Sequence, residues 1–301
     1  MKVHSTRAQF ARGLFLASFA VLTAACYEPM SPAQSTEIQT RFAFNSDRSG
    51  NGEIFVVDPG TGQITQLTDS PALDAEPDWS PRGDRLAFMT ERDGNAEVYT
   101  MAADGGDPIN ITNNDAYDGF PDWSPDGSRI AFMSYRDGNF EIYVAGTDGS
   151  APINLTQNGS RDALPAWSPN SSRIAFTSDR SGDWEIYVMN ADGSGTTRLT
   201  STPGLDADPV WSPDGSRILF SSERGGSSDI YVMDANGRNL EQLTNDEWYD
   251  AFPAWSADGR SIVFSSDRDG NFELYTMRAD GTERARITND PAADTAPVWI
   301  P

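Results

Sequence analysis

Asp118-Gly119-Phe120-Pro121-Asp122-Trp123-Ser124-Pro125-Asp126-Gly127 opens a segment that this chain writes six times. The segment runs on through Ile130-Ala131-Phe132-Met133-Ser134, Arg136-Asp137-Gly138-Asn139 and Glu141-Ile142-Tyr143-Val144, and closes on Leu155-Thr156. Trp79, Trp123, Trp167, Trp211, Trp255 and Trp299 follow one another at steps of 44 residues. Phe44, Phe88, Phe132, Phe176, Phe220 and Phe264 keep that step, as do Arg48, Arg92, Arg136, Arg180, Arg224 and Arg268. No insertion interrupts the copies, which fill the chain from Ile38 to Pro301.

A fixed period of this length marks a repeat architecture, in which each copy buries its apolar face against its neighbours. Within the third copy the pattern predicts four short strands. Strand A is Pro121–Ser124, B is Ile130–Ser134, C is Glu141–Val144 and D is Pro152–Thr156. Asp137-Gly138-Asn139 supplies the positive φ angles of a tight B–C hairpin. Sustained 3.6-residue periodicity is missing, so helices should be nearly absent. Four antiparallel strands per copy, six times, predict an all-β, six-bladed β-propeller.

The repeat is out of phase with the blades. The domain starts on a B strand, Phe42 to Ser46, and ends on an A strand, Pro297-Val298-Trp299-Ile300. Pairing the C-terminal A strand with the N-terminal B-C-D strands completes the sixth blade, closes the ring and hides both open edges. The six repeated tryptophans read as inter-blade core. At about 200 Å² each and about 25 cal/mol per Å², each contributes roughly 5 kcal/mol before entropy costs.

Asp-x-x-Pro-x-Trp-Ser-Pro-Asp-Gly at Asp118 to Gly127, Arg-Asp-Gly-Asn-x-Glu-Ile-Tyr at Arg136 to Tyr143 and the closing Leu-Thr resemble the repeats of the TolB propeller family. The resemblance covers residues 38–301. It implies a propeller of the bacterial envelope that docks a protein partner, here another envelope lipoprotein. The family's N-terminal α/β domain has no room between residue 26 and the ring, and the hydrolase domain of related peptidase propellers is missing too. The expectation is a propeller-only protein.

The first 25 residues form a separate unit. Lys2, Arg7 and Arg12 precede an uncharged apolar run from Gly13 to Ala25, too short to span a bilayer and suited to a signal peptide. Cys26, the only cysteine, follows Leu22-Thr23-Ala24-Ala25, which resembles a lipobox; residues 26–37 then form a lipidated, flexible tether. Ordinary cleavage and a soluble periplasmic or secreted protein is the alternative. Past residue 25 there is neither lysine nor histidine, and 19 arginines against 45 acidic residues leave a charge of about −26. Such a surface repels nucleic acid and anionic headgroups, so the membrane is reached only through the anchor, and attracts basic proteins or divalent cations. Nothing calls for an oligomer; a monomer is expected.

Without an imidazole base, Ser-His-Asp and Cys-His catalysis are excluded, and there is no Gly-x-Ser-x-Gly elbow, zinc set or phosphate loop. No catalytic residue, cofactor site or metal site is assigned, and the chain is not expected to be an enzyme. Asp74, Asp118, Asp162, Asp206, Asp250 and Asp294, three residues before each strand A proline, could form a ring at the channel mouth. Like charges there need an offset, either the six repeated arginines as a ladder of ion pairs or a Ca²⁺ ion.

Positions that break the repeat are candidates for specificity. Trp184 stands where other blades hold Ala96, Phe140, Ser228 or Phe272, and Trp248 where others hold Ala, Ser or Gly. Tyr249 and Phe252 follow it, matched by Tyr117 and Phe120. Exposed aromatics among acids suit a partner-binding surface. Packing of these rings onto the rim is the structural alternative. A non-catalytic binding module is the first functional expectation; a cation-dependent carbohydrate-active enzyme or ligand sensor using the channel mouth is the second.

Overall fold

The computed structural model describes residues 41–301. The proposed signal peptide at 1–25, Cys26 and the tether at 26–37 lie outside the described residues.

Twenty-four strands form six antiparallel sheets of four, and no helix occurs among the described residues. The first sheet joins β24 (Asp294–Trp299) to β1 (Phe42–Ser46), β2 (Glu53–Asp58) and β3 (Gln63–Gln66). Each later blade is consecutive in the chain, with A strands β4 (Asp74–Trp79), β8 (Asp118–Trp123), β12 (Asp162–Trp167), β16 (Asp206–Trp211) and β20 (Asp250–Trp255). The A strands contact one another all the way round, β24 touching both β20 and β4, so they line the centre of a closed ring.

Closure is specific. Phe42 pairs with Trp299, Ala43 with Val298 and Ser46 with Asp294, and the Ile300 N–H donates to the Arg41 carbonyl at 2.9 Å. The Phe42 and Trp299 rings meet edge to face at 5.2 Å. The six repeated tryptophans are 5–8% exposed. Each sits in a cluster with residues of the preceding blade; Trp167 joins Ala131, Ile142 and Val144, for example. The core is therefore six inter-blade layers, as expected of radial repetition.

Two local differences from the pattern have clear causes. Strand A starts at the aspartate, three residues before the proline, because that carboxylate is tied to the B–C turn of its own blade. Strand D shrinks to two residues in five blades, as at β11 (Ile153–Asn154). There Leu155 N–H still bonds the Ile142 carbonyl, but the Thr156 hydroxyl then accepts the Ile142 N–H at 3.0 Å and ends the ladder. The same capping bond recurs in every blade, through Thr68, Thr112, Thr200, Thr244 and Thr288.

Candidate docking face and channel mouth

One face of the ring is assembled from B–C turns and D–A loops. Asn51, Asn95, Asn139 and Asn271 each donate from Nδ2 to two carbonyls of the D–A loop in their blade. A buried acid at the start of strand C (Glu53, Glu97, Glu141, Glu185, Asp229 or Glu273) accepts a backbone N–H from the same loop. The loops are thus clamped to the blades. This six-fold clamp carries a sequence signal, an acid in the same slot of every copy, that the strand pattern alone passes over.

The six aspartates are fully buried. Each pairs with an arginine of its own blade, Asp294 with Arg48 across the closing seam, at 2.6–3.1 Å. The same guanidiniums lie over the Phe and Tyr rings of strands B and C, 4.5–5.8 Å from the centroids. A planar cation stacked on aromatics and bonded to carboxylate suits arginine in particular. Asp229, Asp246 and Asp250 come close enough together to hold a metal ion. Arg268 bonds both Asp246 and Asp250, and Arg284 bonds Asp246, so positive charge is already supplied there.

The channel wall itself is built from residues that the repeat does not share. In all six A strands the register slips by a β-bulge, and the residue before the proline has a left-handed backbone: φ is 58° at Glu76, 51° at Phe120, 54° at Leu164, 53° at Asp208, 52° at Phe252 and 49° at Ala296. A bulge re-aims side chains at the expense of local strain. Four acids project from these strands onto the next one. Glu76 Oε2 accepts from Phe120 N, Asp78 Oδ2 from Trp123 N and Asp122 Oδ2 from Trp167 N, each at 2.6 Å; Asp208 Oδ2 accepts from Phe252 N at 3.4 Å and from Ser221 Oγ at 2.6 Å.

None of these four acids has an arginine partner among the described residues. Burial raises Glu76 to about 8 and Asp78 to about 7, against the opposing pull of their backbone N–H bonds. It raises Asp208 to about 6, and burial together with the Asp78 charge drives Asp122 well up. The sequence reasoning missed all four. Their only signal is a charge beside the proline in some copies, where other copies hold Phe, Leu, Ala or Val.

The aromatic candidates divide. Trp248 is 40% exposed on its D–A loop, and Leu73, at 37%, is exposed on another. Tyr117 crosses Phe140 edge to face at 5.7 Å and Tyr249 crosses Phe272 at 6.0 Å, so both are half-packed onto neighbouring turns. Phe120 and Phe252 are half-buried in the channel wall. Trp184 lies apart on its B–C turn under the Arg161 guanidinium, 4.7 Å from the ring centroid.

A closed six-bladed ring with clamped loops and an acidic, aromatic mouth defines a propeller with one differentiated face. The chain belongs to the TolB beta propeller domain family, whose model matches residues 17–120 and 111–202. Its structure is similar to that of TolB from Acinetobacter baumannii, with a TM-score of 0.78 and 22% identity over 88% of this chain and 67% of that one. It is also similar to a protein described as TolB from Agrobacterium tumefaciens, with a TM-score of 0.70 and 25% identity over 83% of this chain and 88% of the other. An oligogalacturonate lyase in complex with manganese shares the fold at a TM-score of 0.59 and 18% identity, over 85% of this chain and 76% of that one. No curated protein matches the chain.

Proposed function

We propose that this protein is a non-catalytic docking module of the bacterial envelope, binding a protein partner on the face made by the D–A loops and B–C turns. The observation that carries the reading is the contrast on that face. Repeated residues are consumed in clamps and ion pairs, while Trp248, Leu73 and the half-exposed Tyr and Phe residues stand where the repeat is broken. An exposed tryptophan among half-buried aromatics and unpaired acids is the composition of a partner-binding centre. Membership of the TolB beta propeller family supports the envelope setting, and the apolar run before Cys26 supports export and anchoring through a lipid.

The test is photo-crosslinking in native envelopes, with the crosslinker at the Leu73 position. The expected result is a discrete crosslinked protein that disappears when Trp248→Ala, Tyr249→Ala and Phe252→Ala are combined in a chain that still melts cooperatively. An unchanged crosslink in that variant would overturn the reading. The likeness to a manganese-bound lyase keeps a second reading, catalysis or sensing at the channel mouth with a cation; calorimetric titration with Mn²⁺, Ca²⁺ and acidic oligosaccharides, showing heat and bond cleavage, would favour it instead.

A further inference from the structure

The six repeats are not equally alike. Ser46-Asp47-Arg48-Ser49-Gly50 recurs, three repeats on, as Ser178-Asp179-Arg180-Ser181-Gly182 and in no other blade. Arg136-Asp137-Gly138-Asn139-Phe140-Glu141 likewise recurs only as Arg268-Asp269-Gly270-Asn271-Phe272-Glu273. Part of the ring therefore repeats at three blades, and the same offset of 132 residues relates Glu76 to Asp208, Tyr117 to Tyr249 and Phe120 to Phe252. The slot that holds Glu76, Phe120, Asp208 and Phe252 has Leu164 and Ala296 in the two remaining copies, and the slot of Tyr117 and Tyr249 has a tyrosine in no other copy. In a closed ring of six blades, three blades are half a turn, so the two clusters occupy opposite walls of the channel.

Their geometry repeats as well. In each, the phenylalanine N–H on one A strand points to the acid on the preceding one, and the tyrosine crosses the phenylalanine of its own B–C turn at nearly a right angle, 83° in one and 89° in the other. Side-chain length is compensated between them. The longer Glu76 faces Gly119, where a Cβ would lie 2.9 Å from Glu76 Oε2 and 3.0 Å from the Tyr117 hydroxyl. The shorter Asp208 occurs with Ala251 in that slot. Beside the second cluster the Ser265 hydroxyl is fully buried and has no hydrogen-bond partner among the described residues. The equivalent hydroxyl one blade earlier, Ser221, donates to Asp208, so this slot faces the bulged side chain of the channel wall.

We propose that the channel mouth carries two like subsites on opposite walls, Glu76–Tyr117–Phe120 and Asp208–Tyr249–Phe252, each taking one side-chain cation, guanidinium or ammonium, of a basic partner segment. A carboxyl group set beside aromatic rings holds such a cation through charge and through the ring quadrupole together. The charge of about −26 beyond residue 25 draws basic segments toward this face. Two such subsites let one segment with two spaced basic side chains bind with avidity. The inference rests on the docking reading above and names the chemistry of the partner.

The test uses the chain carrying 3-fluorotyrosine, with the resonances of Tyr117 and Tyr249 assigned from Tyr117→Phe and Tyr249→Phe. It is titrated with arginine amide and, separately, lysine amide at a pH of about 9, where both carboxyl groups are ionised. The expected result is saturable movement of both resonances, a calorimetric stoichiometry of two, and a preference between the amides that identifies the cation. Glu76→Gln should weaken the response at Tyr117 by ~10-fold or more and leave that at Tyr249 intact; Asp208→Asn should do the reverse. Thermal melts of both variants confirm folding. The proposal is overturned if neither amide moves the tyrosines, if CaCl₂ moves them and the amides do not, or if Glu76→Gln leaves Tyr117 responding as before. Loss of the envelope crosslink with retained amide binding would sink the docking reading alone; a retained, Trp248-dependent crosslink with no amide binding would sink only the subsites.

Discussion

Asp74 and Glu76 are two residues apart on one strand, and they serve opposite ends. Asp74 is present in all six copies and is buried against Arg92. Glu76 has a counterpart acid in one other copy, lacks an arginine partner among the described residues and is raised to about 8 by burial. Positions that repeat were spent on the scaffold, where each charge meets its complement. Positions that vary hold charges the scaffold leaves uncompensated, which is the usual mark of a functional site.

The largest effects should come from the repeated side of this comparison. Ending the chain before Asp294 removes the strand that pairs with β1, and calorimetry should show loss of the cooperative unfolding transition. Next, Arg136→Met strands the buried Asp118 carboxylate and should cost about 3–5 kcal/mol, read by urea titration. Thr156→Val, which leaves the Ile142 N–H without its acceptor, should cost about 1–3 kcal/mol in the same assay. On the variable side, Trp248→Ala should change stability by no more than about 0.5 kcal/mol while abolishing the envelope crosslink. A large stability loss there would make Trp248 part of the scaffold and weaken the contrast.

The ring was legible in the sequence because strict spacing carries it. Trp79 to Trp299 fixed the blade count, and the stray A strand ending in Trp299 fixed the closure. The Arg–Asp pairing was readable as well, from two residue types kept in step. The bulge was not, since the residue before a proline ordinarily avoids a left-handed backbone, yet all six A strands adopt it. For the same reason nothing in the spacing sets Glu76, Asp78, Asp122 and Asp208 apart from the other acids. Their position depends on a backbone turn that no spacing announces.

The most direct measurement is the pH dependence of thermal stability in the intact chain and in the combined variant Glu76→Gln, Asp78→Asn, Asp122→Asn, Asp208→Asn. Acids raised in the folded state bind protons that the unfolded chain gives up, so stability should be greatest near the ordinary carboxylate range, about 4, and fall as pH rises toward about 8. The account predicts that the variant loses most of this slope and, at a pH of about 8.5, melts no lower than the natural chain. A variant that keeps the slope, or melts far below the natural chain throughout, would contradict it.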